Sequence, residues 1–113
     1  MLVDDRLALE RMGGMPDLLQ RISHAYARAL PAELALWRQC WAQGDKEQSL
    51  RVLHTLKGTA ASLGALPLTA ALRSLEEACR HGSGPAQIET LAAQLDDIAL
   101  QSVSHWLRER PAA

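Results

Sequence analysis

Residues 46–64 read KEQSLRVLHTLKGTAASLG, and the spacing within this stretch decides the fold. An α-helix turns about 100° per residue. Ser49, Val52, Leu53, Leu56, Ala60 and Leu63 then share one face, as an amphipathic helix packed on a core requires. Asp45 supplies an N-cap, and Gly64 stops the helix, which is expected over about residues 46–63.

On the same wheel His54 points away from the core stripe. Glu47, Leu50, Ala61 and Ala65 fall within roughly 40° of it, Gly58 at about 40°, and Lys57 at about 60°. A glycine inside a helix costs about 1 kcal/mol relative to alanine, so Gly58 needs a compensating reason. One reason is space beside the imidazole for a bulky group or an approaching protein; another is close packing against a neighbouring helix. Lys57, three residues after His54, can carry a flexible cation to the same space. An exposed imidazole keeps an unprotonated ring nitrogen near neutral pH and is a competent nucleophile. Taken singly, each residue reads as ordinary helix surface; the joint pattern argues for chemistry.

Outward from this stretch the chain reads as further helices. Asp4 and Asp5 precede Leu7, Ala8 and Met12, and Gly13-Gly14 closes a short first helix. A second begins near Pro16, with Leu18, Leu19, Ile22, Tyr26, Leu30, Leu34, Trp37 and Trp41 at helical spacing. Pro31 falls inside this run and predicts a kink or a break. Pro67 and Leu68 open a fourth helix with Ala71, Leu72, Leu75 and Ala78 inward, and residues 81–85, HGSGP, form a loop. A last helix over roughly 86–108 carries Ile88, Leu91, Leu95, Ile98, Val103 and Trp106. The expected fold is all-α: an antiparallel four-helix bundle with a short extra N-terminal helix, as a single domain over 1–113.

Composition agrees. The chain has 113 residues, 48% of them hydrophobic and none of them Phe, with a net charge of −1. That suits one helical core and shows no basic excess for nucleic acid. Cys40 and Cys79 lie far apart, outside any metal-ligand spacing, and read as buried reduced thiols. His24, His81 and His105 have no partner spacing for metal, and His81 suits the end of a helix. No apolar stretch approaches the ~20 residues of a membrane span, and no secretory signal is visible. A cytoplasmic protein is expected, free or cut from a larger membrane-attached chain, with no direct membrane contact.

The segment His54-Thr55-Leu56-Lys57-Gly58-Thr59-Ala60-Ala61-Ser62-Leu63-Gly64-Ala65 resembles the signature of histidine phosphotransfer (HPt) domains. That signature is a histidine followed by Leu-Lys-Gly, small residues and Gly-Ala. The preceding helix closing on Gly44-Asp45, and the following one with Leu75-Glu76 and Ala78, extend the similarity over about residues 16–82. Thr59, Ala60, Ala61 and Ser62 stand where the family often has glycine, serine or asparagine, a conservative departure.

The resemblance implies a carrier in a two-component phosphorelay. His54 would be the phosphoacceptor, Lys57 would hold phosphoryl oxygens and Gly58 would give access. Glu76 would hydrogen-bond the imidazole; its ordinary reading is an exposed glutamate. The phosphoryl group would arrive from a receiver-domain aspartyl phosphate and leave to a response-regulator aspartate. No ATP site is visible, so no cofactor of its own is expected, and the receiver would supply Mg²⁺. Leu50, Arg51, Ala61, Ser62 and Ala65 would line the docking face of a monomer, with Arg51 and Lys57 adding positive charge. Two alternatives are a helical adaptor that binds a receiver or kinase without phosphorylation, and the dimerising domain of a histidine kinase. Thr55 stands where the latter would carry an acidic residue.

Overall fold

Two aspartates start two of the helices. Asp4 accepts a hydrogen bond from the Leu7 amide at 3.0 Å, and Asp45 accepts from the Gln48 amide at 3.1 Å, each satisfying an amide that has no partner inside the helix. In the computed structural model, which describes residues 1–108, these caps begin α1 (Asp5–Arg11) and α3 (Lys46–Ser62). Prolines stand at the starts of α2 (Pro16–Ala42), α4 (Leu66–Arg80) and α5 (Pro85–Arg108). There the missing N–H costs no helical bond. Residues 109–113 lie outside the described residues.

The longer helices close a ring: α2 packs on α3, α3 on α4, α4 on α5 and α5 on α2. Short turns join them, so neighbours run antiparallel and the architecture is a four-helix bundle. The long axis is 46 Å, close to the roughly 40 Å expected of α2's length at about 1.5 Å per residue. The expected stripe of α3 is inward: Val52, Leu53, Leu56, Ala60 and Leu63 are all buried, beside Leu68, Leu72 and Leu75 of α4 and Leu30 and Leu34 of α2. Trp37 is buried and stacks on half-buried Trp41 at 6.3 Å. Both cysteines are free and buried, and burial pushes the Cys79 thiol up to about 11.

Of the kink or break expected at Pro31, the break does not occur; α2 is one helix from Pro16 to Ala42 with Pro31 inside it. The proline ring is exposed, while Leu30 and Leu34 on either side are buried in the core. Burial of both halves of the helix outweighs the one hydrogen bond that proline removes.

Two contacts hold α3 in place along its length. Near its middle, the buried Tyr26 hydroxyl of α2 donates to the Leu56 carbonyl at 2.9 Å. At its C-terminal end, Gly64 has φ +70°, and its carbonyl accepts from the Asp4 amide at 2.9 Å. This second contact lays the N-terminal segment across the α3–α4 turn.

Candidate functional site

His54 sits mid-way along α3 with its side chain 69% exposed. The inward stripe fixes this direction, because the neighbours Leu53 and Leu56 are held in the core. Its Nδ1 lies 3.2 Å from Oε2 of Glu76 on α4. Among the described residues, Nε2 has no protein hydrogen bond, and ring geometry sets it across the imidazole from the buried carboxylate.

Glu76 is not the exposed glutamate of its ordinary reading. It is buried, 3% exposed, on the stripe Leu72, Leu75, Glu76 and Cys79 that α4 turns toward its neighbours. Its carboxylate meets three side chains. Oε2 takes the His54 contact and accepts from the Arg80 guanidinium at 2.7 Å; Oε1 faces the Lys57 ammonium at 2.9 Å. Oε1 accepts no well-aligned hydrogen bond, but at this separation charge attraction acts whatever the angle. Burial alone would raise the Glu76 pKa. The close approach and charge of Lys57, with the contacts of Arg80 and His54, outweigh burial and hold it below the ordinary carboxylate value.

Lys57 does not reach into the open space beside the imidazole. Its side chain is 23% exposed and lies against Glu76. Gly58 is exposed, and a Cβ there would meet no atom within 4 Å. Packing against a neighbouring helix therefore does not explain the glycine, and the space it leaves is open to solvent.

The expected docking residues do not form one patch. Ala65 is fully buried. The wheel placed it beside His54, but α3 ends at Ser62, and Ala65 is the N-cap of α4 behind the turn at Gly64. Leu50 is half-buried against the core. Arg51 is exposed but engaged along its own helix, 2.8 Å from both Glu47 and Gln48. Ala61 and Ser62 are half-buried, and the Ala61 carbonyl accepts from Arg11. A shallow concavity instead opens beside the imidazole, lined by His54, Thr55, Gly58, Thr59 and Ser62 of α3, Ile22 of α2 and Met12. The sequence gives no sign of Met12 or Arg11 here, because only the α1–α2 turn brings them over α3. Arg80 was legible in principle, one helical turn after Glu76.

The Hpt domain family model matches residues 12–106, most of the chain. The chain belongs to the Hpt domain family. No curated protein and no solved structure matches it. Membership carries a histidine phosphotransfer role in a two-component phosphorelay. The family match spans α2, α3, α4 and most of α5, so it includes every residue that meets at Glu76. No helix of the Hpt domain is long and apolar enough to cross a membrane, among the described residues.

Proposed function

We propose that His54 is the phosphoacceptor of this Hpt domain. It takes a phosphoryl group from the aspartyl phosphate of one receiver domain and gives it to the aspartate of another. One observation carries the reading: an exposed imidazole whose Nδ1 is held from behind by a buried carboxylate, which leaves Nε2 without a protein partner. Open space over Gly58 supports the reading, while Lys57 rests on the carboxylate and would have to leave it to hold phosphoryl oxygens.

The step balances on these groups. The neutral imidazole carries its proton on Nδ1, directed at Glu76. The Nε2 lone pair forms the N–P bond as the P–O bond of the acyl phosphate breaks, and the receiver's aspartate leaves as a carboxylate. The ring then carries a formal positive charge, which the ionised Glu76 stabilises while keeping the proton on Nδ1. Donation to a second receiver is the reverse of this step. Metal chemistry belongs to the receiver; the Hpt domain positions a nucleophile and binds no nucleotide of its own.

The test mixes radiolabelled phospho-receiver with wild type and with His54→Gln. Label on wild type alone, and lost in acid, is the expected result. Label on both proteins places the acceptor elsewhere, and label on neither, across several receivers, favours an adaptor that binds without chemistry.

A further inference from the structure

Arg80 belongs to no part of the motif around His54, yet it makes the shortest of the three contacts at Glu76. The distances are 2.7 Å to Arg80, 2.9 Å to Lys57 and 3.2 Å to His54. We infer that Arg80 is a positioning residue: it is the standing counter-ion of Glu76, and it frees Lys57 to turn to the incoming phosphoryl group while the carboxylate stays on His54. The inference rests on the phosphotransfer reading above.

The argument is one of charge. In the resting site one buried carboxylate faces two permanent cations, Lys57 and Arg80. A phosphoryl group on Nε2 brings close to two negative charges, and the flexible ammonium of Lys57 is drawn toward it. Were Lys57 the sole partner of Glu76, its departure would leave a buried carboxylate unpaired near a dianion. Such a carboxylate takes up a proton or gives up its place on Nδ1. Arg80 prevents this because its guanidinium stays charged at any working pH. It is also well anchored: it sits one turn after Glu76 on the same helix, and Lys46 of α3 donates to its carbonyl at 3.0 Å. The groups facing Glu76 are His54 and Lys57 from α3 and Arg80 from α4. Among the described residues no α5 side chain forms an ion pair with it. The Arg80 side chain is 53% exposed, so its removal leaves the core intact.

The experiment measures transfer from phospho-receiver to wild type, Arg80→Ala, Arg80→Lys, Glu76→Gln and the Arg80→Ala, Glu76→Gln double variant, with helicity checked for each. Arg80→Ala should slow transfer roughly tenfold, Arg80→Lys should restore most of the rate, and on the Glu76→Gln background Arg80→Ala should change it less than about twofold. NMR of the phosphorylated imidazole gives a second reading. The Nδ1 proton should stay hydrogen-bonded in wild type and Arg80→Lys and exchange faster in Arg80→Ala. Equal slowing in both backgrounds would show that Arg80 acts without Glu76 and would overturn the inference. So would an unslowed Arg80→Ala, or an Nδ1 proton that Arg80→Ala leaves unchanged. Wild type that takes no label is a different failure: it removes the phosphotransfer reading itself, and this inference with it.

Discussion

Glu76 reaches His54 from the neighbouring helix, with Oε2 3.2 Å from Nδ1 and a side chain only 4% exposed. A buried carboxylate behind an exposed imidazole sets which ring nitrogen carries the proton. Glu76→Gln keeps an acceptor for the Nδ1 proton but loses the charge that balances the phosphorylated ring. Glu76→Ala loses both. Transfer to Glu76→Gln should therefore fall on the order of tenfold, and transfer to Glu76→Ala should fall further. Single-turnover transfer rates from one phospho-receiver check the order, and equal rates for the two variants would show that the carboxylate's charge has no part.

The same carboxylate ties stability to pH. The folded-state pKa of Glu76 lies below its ordinary value of 4.5. Its ion pairs therefore contribute fully above that value, and the contribution is lost as pH falls through the lowered one. Thermal unfolding followed from neutral to acid pH should show wild type above Glu76→Gln at neutral pH. The gap should begin to narrow only as the pH drops below about 4.5. A gap that stays constant down to strong acid would mean that Glu76 is not ionised against Lys57 and Arg80.

Gly58 separates stability from function. A Cβ there meets nothing within 4 Å, so Gly58→Ala should stabilise α3 by about 1 kcal/mol and raise Tm by roughly 4 °C. The added methyl fills space beside the imidazole, so the more stable protein should accept the phosphoryl group more slowly. Calorimetry and transfer assays on the one variant test both halves. A gain in stability with no loss in rate would remove the access role.

Much of this was legible in the sequence because periodicity reports on burial. The stripe of Leu53, Leu56, Ala60 and Leu63 fixed both the inward face of α3 and the outward direction of His54. Glu76 was legible only through family resemblance, although its place on the stripe Leu72, Leu75, Glu76 and Cys79 is itself a burial signal. Ala65 was misplaced because a helical wheel carries no record of where the helix ends, and the positive φ of Gly64 turns the chain before it. The run through Pro31 and the approach of Arg11 and Met12 to α3 depend on packing between distant segments. No local pattern encodes that packing.

Gly64 and Gly44 have similar positive φ, +70° and +77°, but different surroundings. A Cβ at Gly44 meets nothing within 4 Å, whereas one at Gly64 overlaps the Asp4 carbonyl. Gly44→Ala should then lose about 1 kcal/mol, the penalty for a left-handed alanine. Gly64→Ala should lose roughly 2 kcal/mol or more and release the N-terminal segment from the turn. Denaturant unfolding compares the two, and hydrogen exchange at the Asp4 amide, which donates to the Gly64 carbonyl, reads the release. Equal losses would mean that the N-terminal segment adds nothing at Gly64.

The concavity beside His54 makes the last prediction. Thr55 is exposed and Ser62 half-buried, and both line it with Gly58, on the side of the bundle to which Nε2 is open. A receiver that delivers a phosphoryl group to Nε2 must cover this surface. The added bulk and charge of Thr55→Arg or Ser62→Arg should therefore weaken receiver binding about tenfold without lowering Tm. Leu100 on α5 is 69% exposed and belongs to an apolar groove formed by α2 and α5, with no residue in common with the concavity. Leu100→Arg should leave receiver binding unchanged. Titration of each variant with an unphosphorylated receiver separates the faces: if Leu100→Arg weakens binding and Thr55→Arg does not, the receiver approaches from the α2–α5 side, and a phosphoryl group could not reach His54 in that complex.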